Sequence, residues 1–252
     1  MKFAGTTKLL IIGDSIALGA AEVGAAGNIL SYVQKSYVDR LRETLPRTDI
    51  IVEAEAHRRT ATVISQIDGM LGRHRPDIVL LNLGGSDADV DWKRFILSDG
   101  RIRQHRTPPE RYARNLRVLA ERVLAASALP VFFDYPEHDL SIRGPYISKM
   151  IGRDIMPLIQ AGGGQMASDA RSKDYRQILA DTAKELDLPL VICADVLAQR
   201  PSEVYSADGV HPNDEGHRLL ALVLLPVLLQ AIQGGRRPGM GISAAARCGG
   251  SA

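Results

Sequence analysis

Leu9-Leu10-Ile11-Ile12-Gly13-Asp14-Ser15 is the stretch from which the fold follows. Four aliphatic residues in a row, with no polar interruption, fit a strand buried on both faces, because a half-exposed strand alternates. The small residues after it end the run and leave the Ser15 hydroxyl at the strand's carboxyl end, where a helix is expected to begin. A helix start at that point would stabilise developing negative charge. Similar runs recur at 50–53, 78–83, 130–134 and 190–193. Among them, apolar residues return at helical spacing over 32–45, 62–73, 109–126, 173–186 and 215–232, with Pro226 a candidate kink in the last. Strands alternating with helices predict an α/β fold, a sheet of about five parallel strands covered on both faces. Ligands of such sheets bind beyond the carboxyl ends of the strands, where Ser15 stands.

The chain has 252 residues, 45% hydrophobic and 24% charged, with a net charge of +2. That composition fits a globular protein with a substantial core, and the near-neutral charge gives no reason to invoke nucleic acid. No run approaches the ~18 consecutive apolar residues of a membrane span, and residues 1–8 show no apolar leader, so a cytoplasmic protein is expected. Cys193, in an apolar run, reads as a core residue, and Cys248 as a free thiol in the tail. Residues 1–233 are expected to form a single domain. The Gly/Ala/Ser-rich stretch 234–252 is expected to be disordered. Two long segments, 88–108 and 135–172, interrupt the alternation. The first holds Trp92, Phe95 and Arg101-Ile102-Arg103-Gln104-His105-Arg106, and the second Gly162-Gly163-Gly164. Both leave the carboxyl edge of the sheet and are expected to roof a site there. Nothing in the sequence sets the oligomeric state.

A serine hydroxyl is a weak nucleophile until a base takes its proton, and a histidine oriented by a carboxylate is the usual base. Asp208-Gly209-Val210-His211-Pro212 supplies both, just before the last helix. Alone, Asp208 could cap that helix and His211 could be a surface residue. The order of a first strand, Ser15, four further strands, then Asp208 and His211 is far rarer than either motif.

With these residues the chain resembles the SGNH (GDSL) hydrolase family. Gly13-Asp14-Ser15 is similar to its first block, Leu81-Asn82-Leu83-Gly84-Gly85-Ser86-Asp87 to its third, and Asp208-Gly209-Val210-His211-Pro212 to its last. Residues 107–116 are similar to the helix that follows the third block. The resemblance covers residues 8 to about 232. It implies a flavodoxin-like three-layer α/β/α fold and metal-free, cofactor-free ester hydrolysis with Ser15 as nucleophile, His211 as base and Asp208 as its orienting acid. It also implies an oxyanion and binding set drawn from Asp14, Gly84, Ser86 and Arg58. Ser86 stands where the family has an oxyanion-holding asparagine. Arg58, counted back from Pro76-Asp77, stands where it has a glycine whose N–H donates.

The expected substrate is a small ester: a short acyl group on a polar carrier, since four Phe and one Trp give little material for a wide lipid groove. An anionic carrier is suggested by His57, Arg58 and Arg59 before a helix and by the basic run 101–106, if these meet above Ser15. Acyl transfer to a sugar hydroxyl, or a carbohydrate- or anion-binding module without turnover, are the alternatives. Asp87, Asp89 and Asp91 have the alternation of a calcium loop, but Trp92 occupies its glycine position and Ser98 its glutamate position, so no metal is expected. Asp87 reads instead as a brace or cap, Glu137, His138 and Asp139 as a solvated loop, and His217 as a surface residue.

Overall fold

The computed structural model describes residues 6–24, 28–136, 139–199 and 201–234. The tail from 235 onward, with Cys248, lies outside the described residues, as do Glu137 and His138. Five strands make one parallel sheet: β1 (Thr7–Gly13), β4 (Thr48–Ala54), β5 (Ile78–Asn82), β6 (Leu129–Phe133) and β7 (Leu190–Val191), in the order β4-β1-β5-β6-β7. The first strand is thus interior, and the order reverses beside it, which opens the crevice where such sheets bind ligands.

Both faces of the sheet are buried, as the unbroken apolar runs require. Leu9, Ile11, Ile78, Leu80, Val131 and Phe133 share one core with α1 (Tyr37–Thr44) and α11 (Asp214–Gly234). Leu10, Ile12, Val79, Leu81 and Phe132 share the other with α2 (Thr60–His74), α5 (Pro109–Ala125) and α8 (Gly164–Glu185). Successive residues of each strand therefore feed opposite layers, the period-2 geometry of a pleated strand. The result is a three-layer α/β/α fold.

Several expectations are corrected. Ser15 is followed by a single turn, not a helix: Leu18 N–H donates to Asp14 O at 3.3 Å and Gly19 N–H to Ile16 O at 3.0 Å. The chain then enters an antiparallel hairpin, β2 (Ala20–Val23) with β3 (Ile29–Tyr32). The helix expected from residue 32 starts only at Tyr37, because Ser36 and Asp39 form a reciprocal capping box there. Segment 135–172 is largely helical, giving α6 (Leu140–Ile151), α7 (Met156–Ala161) and the start of α8, whereas segment 88–108 holds one short helix, α4 (Trp92–Leu97), after α3 (Gly85–Ala88). A third, smaller core of Phe95, Leu140, Ile147, Ile155 and Ile159 joins them over the carboxyl edge. The last strand stops at Val191, since Cys193 N–H turns to the Asp134 carboxylate at 2.6 Å and α9 (Ala194–Leu197) follows, with α10 (Pro201–Val204) after it.

Pro226 lies inside α11. That helix is long and apolar enough to cross a bilayer, with mean hydropathy 1.5. Its Leu219, Leu220, Leu224, Val227 and Leu228 are nevertheless packed into the first core. His217 is not on the surface: it is fully buried, its Nδ1 accepts the Tyr37 N–H at 3.1 Å, and its ring stacks on that tyrosine. Burial holds it neutral, pushing its pKa down to about 4.

Candidate active site

β1 delivers Ser15 to the carboxyl edge of the sheet, and the turn before α11 delivers the histidine. Within that turn Asp208 Oδ1 accepts the N–H groups of Val210 and His211, each at 3.0 Å, so the carboxylate folds its own loop back on itself. Gly209 makes the loop possible. Its φ is +69°, and a Cβ there would lie 2.6 Å from the Arg143 nitrogen and 2.8 Å from the Asp139 carbonyl oxygen. Only glycine lets the loop press this closely on the start of α6.

Three side chains from the two ends of the chain meet. Ser15 Oγ lies 2.7 Å from His211 Nε2, and His211 Nδ1 lies 2.6 Å from Asp208 Oδ2. An ionised carboxylate can only accept, so Nδ1 carries the proton and Nε2 is left to accept from the serine hydroxyl. Burial pushes the Asp208 carboxyl up, but the His211 hydrogen bond and charge outweigh it and leave its pKa below the usual range. Arg143 approaches the same carboxylate, its Nη1 3.8 Å from Oδ2.

The other expected site residues are placed unevenly. Asp14 and Ser86 line the cavity of about 40 Å³ that holds Ser15 and His211, together with Gly85 and His57. Ser86 Oγ donates to Asp14 Oδ2 at 3.4 Å. Gly84 sits behind them, its carbonyl accepting the N–H groups of Asp87 and Ala88 and so starting α3. Arg58 is turned away. Its N–H closes on Glu55 O at 3.2 Å and its Nη1 donates to Glu53 O at 2.7 Å. The left-handed residue is His57 (φ 59°), one position earlier, and it is His57 that borders the cavity.

Of the expected basic cluster only His57 borders the cavity at Ser15. Arg59 donates to Arg106 O at 3.1 Å, while Arg101 and Arg103 bond the carbonyls of Ser98 and Gly100. Arg106 pairs with Asp89 at 3.2 Å. Asp87 takes the part of a cap: its carboxylate accepts Thr60 N–H at 3.0 Å and Thr60 Oγ1–H at 2.7 Å, serving the start of α2, where Arg59 offers none. Asp89 accepts the Trp92 indole N–H at 3.0 Å and Asp91 caps α4, so the three aspartates point to separate partners. Among the described residues no group of three His, Cys, Asp or Glu could hold a metal.

Two buried carboxyls carry a pH signature. Burial raises Asp14 and Asp134 to about 6 each, against partial relief from Ile16 N–H at Asp14 and from Cys193 at Asp134. A carboxyl whose folded pKa is raised adds stability while protonated, below its unfolded pKa near 4, and loses that contribution as pH climbs through about 6. Asp134→Asn removes the titration while keeping a carbonyl for Cys193. Relative to wild type, the variant should gain on the order of 2–3 kcal/mol between pH 4 and pH 7.5. Urea unfolding at the two pH values measures it, and a constant difference would show that Asp134 ionises freely in the folded state.

Residues 11–219 match the GDSL-like lipase/acylhydrolase family. No curated protein matches the chain in sequence. Similar folds include the lipase/acylhydrolase from Enterococcus faecalis, at 17% identity and TM-score 0.63, covering 93% of this chain and 99% of that one. An acetylxylan esterase from Geobacillus stearothermophilus, solved as a catalytic mutant, is 20% identical at TM-score 0.58 over 90% of this chain and 96% of that one. A psychrotrophic esterase from Pseudoalteromonas, solved as inhibited by monoethylphosphonate, is 17% identical at TM-score 0.55 over 89% and 97%.

Proposed function

The chain belongs to the GDSL-like lipase/acylhydrolase family, and on that premise we propose that it is a serine esterase acting through Ser15, His211 and Asp208. What supports this reading is the unbroken relay of 2.7 Å and 2.6 Å from hydroxyl to imidazole to carboxylate. As Ser15 Oγ bonds the ester carbonyl carbon, its proton passes to His211 Nε2. The carbon–oxygen bond to the alcohol then breaks, and His211 returns the proton to the departing oxygen. Water repeats the sequence on the acyl-enzyme, giving the free acid and restoring Ser15. Asp208 stays ionised throughout and steadies the imidazolium.

The developing oxyanion needs donors aimed at it. Among the described residues the Ser15 N–H donates to no carbonyl. Gly85 and Ser86, as the first residues of α3, have N–H groups without a helical partner. These three N–H groups border one cavity and are the donors we assign in place of Arg58. Because the Ser86 hydroxyl leans on Asp14, its loss matters less than that of a direct donor. Ser86→Ala should lower kcat by well under the ~10²–10³ of a lost oxyanion donor. A drop as deep as that of Ser15→Ala would give Ser86 a different role.

The direct test is covalent. A fluorophosphonate should label the wild-type protein at Ser15 and leave Ser15→Ala unlabelled, matching the phosphonate inhibition of the Pseudoalteromonas esterase of similar fold. An unlabelled wild type would refute the esterase reading, since only an activated serine reacts.

A further inference from the structure

Beside the small cavity at Ser15 lies a chamber of about 430 Å³, within the roughly 300–1,000 Å³ typical of small-molecule sites. The two share Val23, His57 and Arg143 as a common threshold. Beyond it most of the wall is apolar, with Trp92, Ile96 and Leu97 from α4 and Ile147, Met150 and Ile151 from α6, while Asp91, Lys93 and Arg106 also line it. Both helices belong to the segments that interrupt the strand–helix alternation, and they are joined through the third core rather than through the sheet. Leu97 is 74% exposed, and Met150 and Ile151 are 40% exposed each. Apolar side chains exposed in the lining of a cavity are costly in water and are suited to contact with an apolar ligand group.

We propose that this chamber is the acyl-chain site of the enzyme, and that the preferred substrates carry an apolar acyl chain of medium length rather than an acetyl group. The proposal rests on the esterase reading of Ser15. The leaving oxygen must face His211 Nε2 to receive its proton, and His211 does not line the chamber. The acyl chain, on the other side of the carbonyl, is the part that can pass the threshold of Val23, His57 and Arg143. The few aromatic residues pointed to short acyl groups, but the walls that matter here are aliphatic and come from two segments far apart in sequence.

Each methylene fully buried contributes up to about fourfold in binding, at ~0.8 kcal/mol. With six further methylenes, p-nitrophenyl octanoate should exceed p-nitrophenyl acetate in kcat/KM by at least tenfold, with ester concentrations kept below micelle formation. Leu97→Asp and Met150→Asp place a charge on the wall at exposed positions that the fold tolerates, with melting curves to verify it. Each should reduce the octanoate-to-acetate ratio about tenfold. Octyl acetate, with its chain on the alcohol, should gain no such advantage over ethyl acetate. A wild-type ratio near one, a ratio that neither variant moves, or a chain preference on the alcohol side would overturn the acyl assignment. If the fluorophosphonate labels Ser15 while any of these holds, the esterase reading stands without it. Neither labelling nor turnover of any ester would overturn both.

Discussion

Ser15→Ala is expected to lower kcat on a p-nitrophenyl ester by about 10⁴–10⁶, and His211→Ala by a similar factor. The two losses do not multiply. Once either partner of the 2.7 Å contact is gone, the other has nothing to activate or to accept from. The double variant should therefore sit within a few-fold of the single ones. Asp208→Asn is predicted to fall by about 10⁴ with little change in KM. An amide at the 2.6 Å position presents either a donor or a weaker acceptor to Nδ1, and the imidazole settles in the wrong tautomer. Single-turnover and steady-state kinetics of the four variants check this. A Ser15→Ala protein retaining a tenth of the activity would mean that another nucleophile does the work. Additive losses would mean that the serine and histidine act in separate steps.

The residues of this relay were legible because the pattern that places them is coarse. Four aliphatic residues in a row can only be a buried segment, and five such runs with helices between them leave few topologies. Ser15 and His211 follow from where those runs end. Finer placements were not legible. Counting back from Pro76-Asp77 assigned Arg58 to the cavity, yet the left-handed turn falls on His57, which no glycine announces. His217 reads as a surface residue from its spacing, but it sits between Gly216 and Leu219 on the face of α11 that packs on α1. The hairpin β2–β3 was missed because Ala20–Val23 and Ile29–Tyr32 are short and half-exposed, with Leu30 and Tyr32 turned outward. The chamber was hidden for another reason. Neither α4 nor α6 shows its purpose alone, and only their apposition encloses a volume.

Gly84→Ala should destabilise the protein by about 2–6 kcal/mol. Two costs of similar size add at this position. The backbone there has φ 132° and ψ −36°, a conformation from which side chains are sterically excluded, and strain of that kind costs about 1–3 kcal/mol. The new Cβ would also lie 2.5 Å from the Tyr112 hydroxyl and 2.8 Å from the Tyr135 ring. Tyr112 is fully buried between α5 and the sheet and cannot step aside, so overpacking adds about 1–3 kcal/mol more. Gly85→Ala is the control: its Cβ meets Tyr135 at an ordinary 3.6 Å and its φ is not positive, so it should cost little. Because α3 starts from the Gly84 carbonyl, any Gly84→Ala protein that still folds should also lose turnover, through displacement of the Ser86 N–H from the oxyanion. Urea unfolding of the two variants, with ester kinetics on whatever remains folded, separates the effects. Equal stability of the two would show that the turn at Gly84 relaxes freely, and the rigid placement of α3 beside Ser15 would then need another cause.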